Sequence, residues 1–269
     1  MLNKEIESLR RKNYQDQVKD IEKKFSINLD KYNKWPDFIE MAQRRNLFTH
    51  CDGIISKQYI DVCKSNGYVF KDEPIVGEQL DIGAKYFYKS CLLITEIGVM
   101  LGQTLWRKVI PNDLSNADTQ LNNLIFDFLH NESWAKAISL SKFALNLPNI
   151  SNDQMERIFT VNYAIALKAI NQNDQSTKIL DKRDWSATSN EFKLAYNVLN
   201  GDFDTAKDLM IKVGKDSEMI PEIAYLDWPL FRDFRDSQDF FDAYEAVFEY
   251  KYSTKLKSLA DEKQAGVVG

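Results

Sequence analysis

Glycine and proline are scarce in this 269-residue chain, at 10 and 6. That excludes collagen-like and linker-like classes. Cysteine is scarcer still. Cys51, Cys63 and Cys91 are too few and too scattered for a disulfide framework, and no C-x-x-C pair suggests a cysteine zinc site. No Walker, Rossmann or zinc-finger pattern occurs. The glycines at 83, 98 and 102 follow no strand, so they are expected to permit close helix packing rather than to cradle phosphate. Long apolar runs are also missing: the longest, Ser90 to Trp106, is broken by Glu96 and Gln103 and is too short to span a bilayer. The first twenty residues are polar and charged, unlike a signal peptide. The expectation is a soluble cytoplasmic protein with no membrane partner. With 44% hydrophobic and 12% aromatic residues, the chain has ample core for one large or two medium domains.

Charge is unevenly spread. Residues 1–50 carry 11 basic and 8 acidic side chains, residues 51–110 carry 7 of each, and residues 111–269 carry 17 and 25. A nucleic-acid ligand is therefore expected to use the first part, although ordinary solvated helix surface accounts for the same asymmetry.

The apolar spacing predicts helices almost throughout, and so an all-α fold. Ile6, Leu9, Val18, Ile21 and Phe25 suggest an amphipathic first helix, followed by a turn over residues 26–37. Trp35-Pro36-Asp37 starts a helix that Gly53 is placed to end. A shorter helix is expected from about Ser56 to Ser65, burying Tyr59, Ile60 and Cys63 and ending at Asn66-Gly67. From about Glu78 to Val109 the pattern predicts a long helix, apolar all round, at the centre of a bundle. Pro111-Asn112-Asp113 breaks it, and the domain boundary is placed there.

Beyond it, three stretches read as helix, polar turn, helix. Their turn residues Asn131, Asn173 and Gly201 lie 42 and 28 residues apart. A spacing near 34 residues resembles tetratricopeptide-type helical repeats, with Ala137, Ala164 and Ala206 where helices approach closely. The aromatic run from Phe231 to Phe248 is expected to cap the repeats with its rings in the core. The resulting division is a bundle over 1–111, repeats over 112–252 and a fraying tail over 253–269.

The chemistry concentrates in RRNLFTH. Of only two histidines, His130 sits at a helix-to-turn junction and is read as a structural or surface residue. His50 follows Arg44, Arg45 and Asn46 near the end of a helix. Asn46 and His50 are i, i+4 on one face, while Arg45 lies about 140° from His50 by helical geometry. Glu40 is i, i+4 from Arg44 and is placed to hold it. Both a functional cluster and a plain helix surface fit these spacings. Cys51 diverges from His50, which argues against a Cys–His dyad.

Residues 35–60, WPDFIEMAQRRNLFTHCDGIISKQYI, resemble the HEPN family (higher eukaryotes and prokaryotes nucleotide-binding domain), whose signature is an Arg followed by a polar residue, with a His after four to six intervening residues. Here these are Arg45, Asn46 and His50, with Gly53, Ile54, Ile55 and Tyr59 in the flank. The resemblance covers about residues 1–110. Some HEPN families carry a modifiable Tyr two residues after the His; this chain has Asp52 there, which counts against that control.

The resemblance implies a HEPN-like bundle acting as a metal-independent endoribonuclease without cofactor. Two HEPN domains pair in a homodimer to build one composite site for RNA. His50 would act as acid or base, Arg45 would stabilise the transition state, and Asn46 would orient His50 or bond a phosphate oxygen. Arg44 would be an alternative phosphate contact. A toxin or phage-defence effector gated by its repeats is the role such ribonucleases often have. The alternative is a non-catalytic dimerisation module joined to a protein-binding scaffold.

Overall fold

The structure is a computed structural model that describes residues 7–12, 14–27, 32 and 34–266. Of the expected turn over residues 26–37, residues 28–31 and 33 lie outside them, and residues 35–37 already belong to a helix. Among the described residues every regular element is helical, apart from one isolated antiparallel bridge between Ile54 and Gln79. The chain divides into two compact units, Met1–Ala117 and Asp118–Gly269.

In the first unit, a short helical stretch at 7–10 precedes α1 (Tyr14–Phe25), α2 (Trp35–His50), α3 (Lys57–Ser65) and α4 (Ala84–Val109). The single amphipathic first helix expected from residue 6 to 25 is thus interrupted after residue 10. Pro36 lies in the first turn of α2, where its missing N–H costs nothing. Asp52 and Gly53 both take positive φ, 49° and 78°, and turn the chain sharply after His50. A Cβ at Gly53 would meet the Phe48 ring at 2.9 Å, so glycine is needed there for shape as well as for φ. Ser56 then caps α3 by accepting from the Tyr59 N–H at 3.2 Å.

Two apolar clusters form this core. Val18, Trp35 and Ile39 make one; Leu47, Ile55, Tyr59, Ile60 and Cys63 make the other. Each fully buried aliphatic side chain contributes roughly 1.5–3 kcal/mol. The loop before α4 is clamped to the core by backbone bonds, Ile55 N–H to Glu78 at 2.8 Å and Leu80 N–H to Gly53 at 2.9 Å. These bonds hold residues 78–80 extended, so α4 starts at Ala84 rather than near Glu78.

The expected central helix is corrected as well. Helix α4 buries Leu93, Glu96, Met100 and Gln103, while Phe87 and Tyr88 are each 64% exposed and Ile94 is 54% exposed. Around Gly98 and Gly102 no described atom lies within 4 Å of an added Cβ, so these glycines bring no described helix close. Composition alone made α4 look buried; its apolar residues exceed the surface that neighbouring helices cover. At its end, Trp106 Nε1 donates to Asp113 at 2.8 Å across a 3-10 turn (Pro111–Asp113). Gln103 donates to the Ala117 carbonyl at 3.1 Å, which ties the first turns of α5 (Leu114–His130) to α4.

The second unit continues with α6 (Trp134–Leu145), α7 (Asp153–Ala169), α8 (Asn173–Leu180), α9 (Asn190–Asn200) and α10 (Phe203–Val213). The three expected polar turns join α5 to α6, α7 to α8 and α9 to α10. Ala137, Ala164 and Ala206 are fully buried, and Ser176 donates to the Ala164 carbonyl at 3.0 Å, so α8 lies directly on the α7 backbone. Gly201 ends α9 in the left-handed region, and Asp202 caps α10 by accepting from the Thr205 N–H. After α11 (Glu222–Asp227) and two 3-10 turns (Pro229–Phe231 and Phe234–Asp236), α12 (Gln238–Phe248) packs Phe240 and Tyr244 into the core with Phe231 and Phe234. Phe241 remains 39% exposed. The stretch expected as a tail includes most of α13 (Tyr252–Gly266), whose first residue packs its ring on Phe240 and Tyr244, at 5.1 and 5.2 Å between centroids.

Candidate functional site

Arg45, Asn46 and His50 occupy the last two turns of α2 and open onto one surface groove of about 510 Å³. Arg10, Arg11 and Lys12 line the same groove, with Gln17, Gln43, Gln58 and Tyr59, and none of the described residues lining it is acidic. The basic residues reach it because the segment after the 7–10 helical stretch is held to α1. Gln17 donates to the Lys12 carbonyl at 2.8 Å, and Lys12 pairs with Asp20. Arg10 and Arg11 have no ion-pair partner among the described residues. Guanidinium groups concentrated in a concave surface attract polyanions.

The details at His50 differ from the sequence expectation. Asn46 Oδ1 accepts from Arg45 Nη1 at 3.3 Å, and no side-chain hydrogen bond joins Asn46 to His50 among the described residues. His50 is exposed, and its imidazole makes no hydrogen bond among the described residues. Asn46 therefore positions Arg45 rather than the imidazole. Thr49 donates to the Arg45 carbonyl at 2.8 Å, closing the polar surface of the last turn.

Arg44 and Glu40 face elsewhere. Glu40 is 2% exposed and accepts three hydrogen bonds: from Arg44 Nε at 2.7 Å, Tyr59 at 2.7 Å and Tyr86 at 2.8 Å. Arg44 also donates to the Asp81 carbonyl at 3.1 Å and lies over the Tyr86 ring at 4.1 Å. Glu40 does hold Arg44, but the bond turns the guanidinium into the protein, so Arg44 is not a phosphate contact of the groove. Burial works to lower the Arg44 pKa, and the Glu40 carboxylate beside it outweighs burial and raises it. Burial, reinforced by hydrogen bonding and repulsion from Glu40, raises the Tyr59 and Tyr86 phenols above their ordinary range. Both remain neutral donors. Glu40 thus ties α2, α3 and α4 together and fixes the helix that presents Arg45 and His50.

His130 is exposed at the end of α5, its ring stacked on Phe126 at 6.5 Å, as a surface histidine would be. Cys51 is exposed and lines the groove beside His50. Among the described residues no group of three His, Cys, Asp or Glu side chains is placed to hold a metal ion. Arg10 and Arg11 are the groove residues that sequence reasoning passed over. The run Arg10-Arg11-Lys12 was their signal, but nothing local said that it returns to the end of α2. No helix among the described residues is long and apolar enough to cross a membrane.

Comparison with family models, with curated proteins and with solved structures returned no match for this chain, so its assignment rests on the geometry above.

Proposed function

We propose that this protein is a metal-independent endoribonuclease that cleaves RNA by 2′-hydroxyl attack, at a composite site formed by two copies of the chain. The observation that carries this reading is the groove itself. It gathers Arg10, Arg11, Lys12, Arg45 and His50 on one surface, and none of the described residues lining it is acidic. Such a surface binds the sugar–phosphate backbone, and an exposed imidazole beside a guanidinium has the groups that phosphodiester cleavage needs.

Attack by the 2′-oxygen needs a base to take its proton and an acid to protonate the departing 5′-oxygen. One imidazole per chain supplies one of these roles, and a second copy related by a two-fold axis supplies the other. Arg45, steadied by Asn46, offsets the extra negative charge on the five-coordinate phosphorus. DNA lacks the nucleophile and is left intact. The exposed face of α4, with Phe87, Tyr88 and Ile94 on one side of the helix, supports self-association, because exposed apolar patches mark interaction surfaces.

The test is incubation of purified full-length protein with mixed RNA, comparing wild type with His50→Ala in the presence and absence of EDTA. Cleavage that leaves 2′,3′-cyclic phosphate ends, persists in EDTA and disappears in the variant is the expected result. Undiminished cleavage by the variant sinks the proposal.

A second reading, a non-catalytic module with an interaction scaffold, draws on a different observation. The second unit carries an apolar cleft of about 450 Å³ lined by Phe126, Phe192, Ile220 and Trp228. No cleavage by wild type, together with a partner that protects this cleft, would favour it.

A further inference from the structure

Residues 111–269 carry eight more acidic than basic side chains, yet one surface of the second unit has the opposite sign. A groove of about 640 Å³ runs between the end of α6, the face of α7 and α8. Lys142 enters from α6, Lys178 from α8, and Lys182 and Arg183 from the turn after α8. None of the described residues lining it is acidic.

Two nearby carboxylates have partners of their own, one of them at the groove wall. Glu156 pairs with Arg183, whose Nε also donates to Thr160 at 3.2 Å. Asp181, next to Lys182 in sequence, accepts from Tyr196 at 3.2 Å. Lys142, Lys178 and Lys182 have no ion-pair partner among the described residues. Three ammonium groups held around one concavity repel each other, and an anion shared among them relieves that repulsion. Lysine ammonium groups, with three donors each, are suited to phosphate oxygens. The remaining wall is of another kind. Tyr163, half-buried on α7, lies beside Leu167 and Ile179, and Gln175 offers an amide at the rim. An aromatic ring next to apolar side chains is a surface on which a base stacks, with the amide able to bond its edge.

We propose that this groove binds a nucleotide, with its phosphates on Lys142, Lys178 and Lys182 and its base against Tyr163. The volume suits one nucleotide unit. The unit can be a free nucleoside polyphosphate or one residue of a single-stranded RNA, since both present the same phosphate and base. The site is independent of the ribonuclease reading, because none of its residues lines the Arg45–His50 groove.

The experiment uses the full chain carrying His50→Ala, so that no probe is consumed. ATP, inorganic pyrophosphate and a single-stranded oligouridylate are titrated by calorimetry or fluorescence anisotropy at low and at physiological ionic strength. The same titrations are run on a variant that also carries Lys142→Ala, Lys178→Ala and Lys182→Ala, its fold checked by circular dichroism. Lysine acetylation followed by mass spectrometry reports whether a bound probe shields those three side chains. The expected result is binding of at least one nucleotide probe, shielding of the three lysines, and an affinity loss of about tenfold or more in the triple variant. If the oligouridylate is the ligand, the slope of log affinity against log salt flattens by about 2, at ~0.7 per lost phosphate contact. ATP binding without oligouridylate binding identifies a free nucleotide as the source; the reverse identifies a strand. Tyr163→Leu should weaken ATP but not pyrophosphate. Absence of binding by both nucleotide probes, or equal binding by the triple variant, overturns the proposal whether or not the protein cleaves RNA.

Discussion

The Tyr59 hydroxyl donates to the buried Glu40 carboxylate at 2.7 Å across nineteen residues of chain. This bond ties α3 to the helix whose last turns carry Arg45 and His50. The ring of Tyr59 also lines the groove into which those two side chains open. The rigidity of the proposed site therefore depends on a carboxylate that does not itself reach it.

Removing a member of this cluster should cost stability first. Tyr59→Phe leaves Glu40 with Arg44 and Tyr86, and should destabilise by about 1–3 kcal/mol. Glu40→Ala leaves the half-buried Arg44 and two phenols without their acceptor and should cost more, roughly 3–5 kcal/mol. Urea denaturation midpoints check both. A Glu40→Ala protein as stable as wild type would show that the cluster is not a tie between helices.

Alkali should loosen the same cluster. The Tyr59 and Tyr86 phenols are raised in the folded protein, chiefly by burial and then by Glu40. A raised pKa means that the folded state holds its proton more tightly than the unfolded chain. This contribution is complete below the unfolded tyrosine value of about 10 and is lost progressively as pH climbs above it. Stability measured between neutral pH and strong alkali should fall more steeply in wild type than in a Tyr59→Phe, Tyr86→Phe double variant.

Cysteine reactivity should separate the three thiols. Cys63 is fully buried, and burial, with Glu40 adding to it, pushes its thiol up to about 12. Cys51 and Cys91 are exposed. Iodoacetamide at mildly alkaline pH should label Cys51 and Cys91 within minutes and leave Cys63 unmodified until the protein is unfolded, as read by peptide mass spectrometry. Labelling of Cys63 at the same rate would contradict this packing.

Catalysis and binding should divide within the groove. Arg45→Ala should reduce cleavage by about 10²–10³-fold, the usual effect of losing one donor to a developing charge. Arg10→Ala with Arg11→Ala should act mainly on RNA affinity and make it less sensitive to salt, with a smaller effect on the rate at saturating RNA. Single-turnover kinetics over a range of RNA concentrations distinguishes the two effects.

Self-association should depend on α4. Replacing Ile94 by Asp places a charge in the exposed apolar face and should convert a dimer to monomer in sedimentation experiments, with cleavage falling in parallel. The side chain is 54% exposed, so the fold itself should survive. A dimer that persists in Ile94→Asp would move the interface elsewhere.

Much of the architecture was legible from local signals. Pro36 in a first turn, Ser56 before α3, Gly201 between α9 and α10, and the burial of Tyr59, Ile60 and Cys63 all follow from capping preference and helical spacing. The failures share a cause. Helix α4 read as central because its composition is apolar, yet exposure depends on which neighbours arrive, and the neighbours cover only the face with Leu93, Glu96, Met100 and Gln103. Arg44 read as a phosphate contact because it adjoins Arg45, yet consecutive residues on a helix diverge by about 100°.

The sequence by itself determined the helices, the turns between them and the position of Arg45, Asn46 and His50 at a helix end, because those depend on residues within one or two turns of each other. The tertiary structure alone decided that Arg10 and Arg11 join that helix end, that Glu40 draws Arg44 inward with Tyr59 and Tyr86, and that Lys142, Lys178 and Lys182 meet in a half of the chain whose net charge is negative. Those arrangements depend on distances through space. Coulombic and hydrogen-bond energies fall off over a few ångströms, so a charge count along the chain cannot register them.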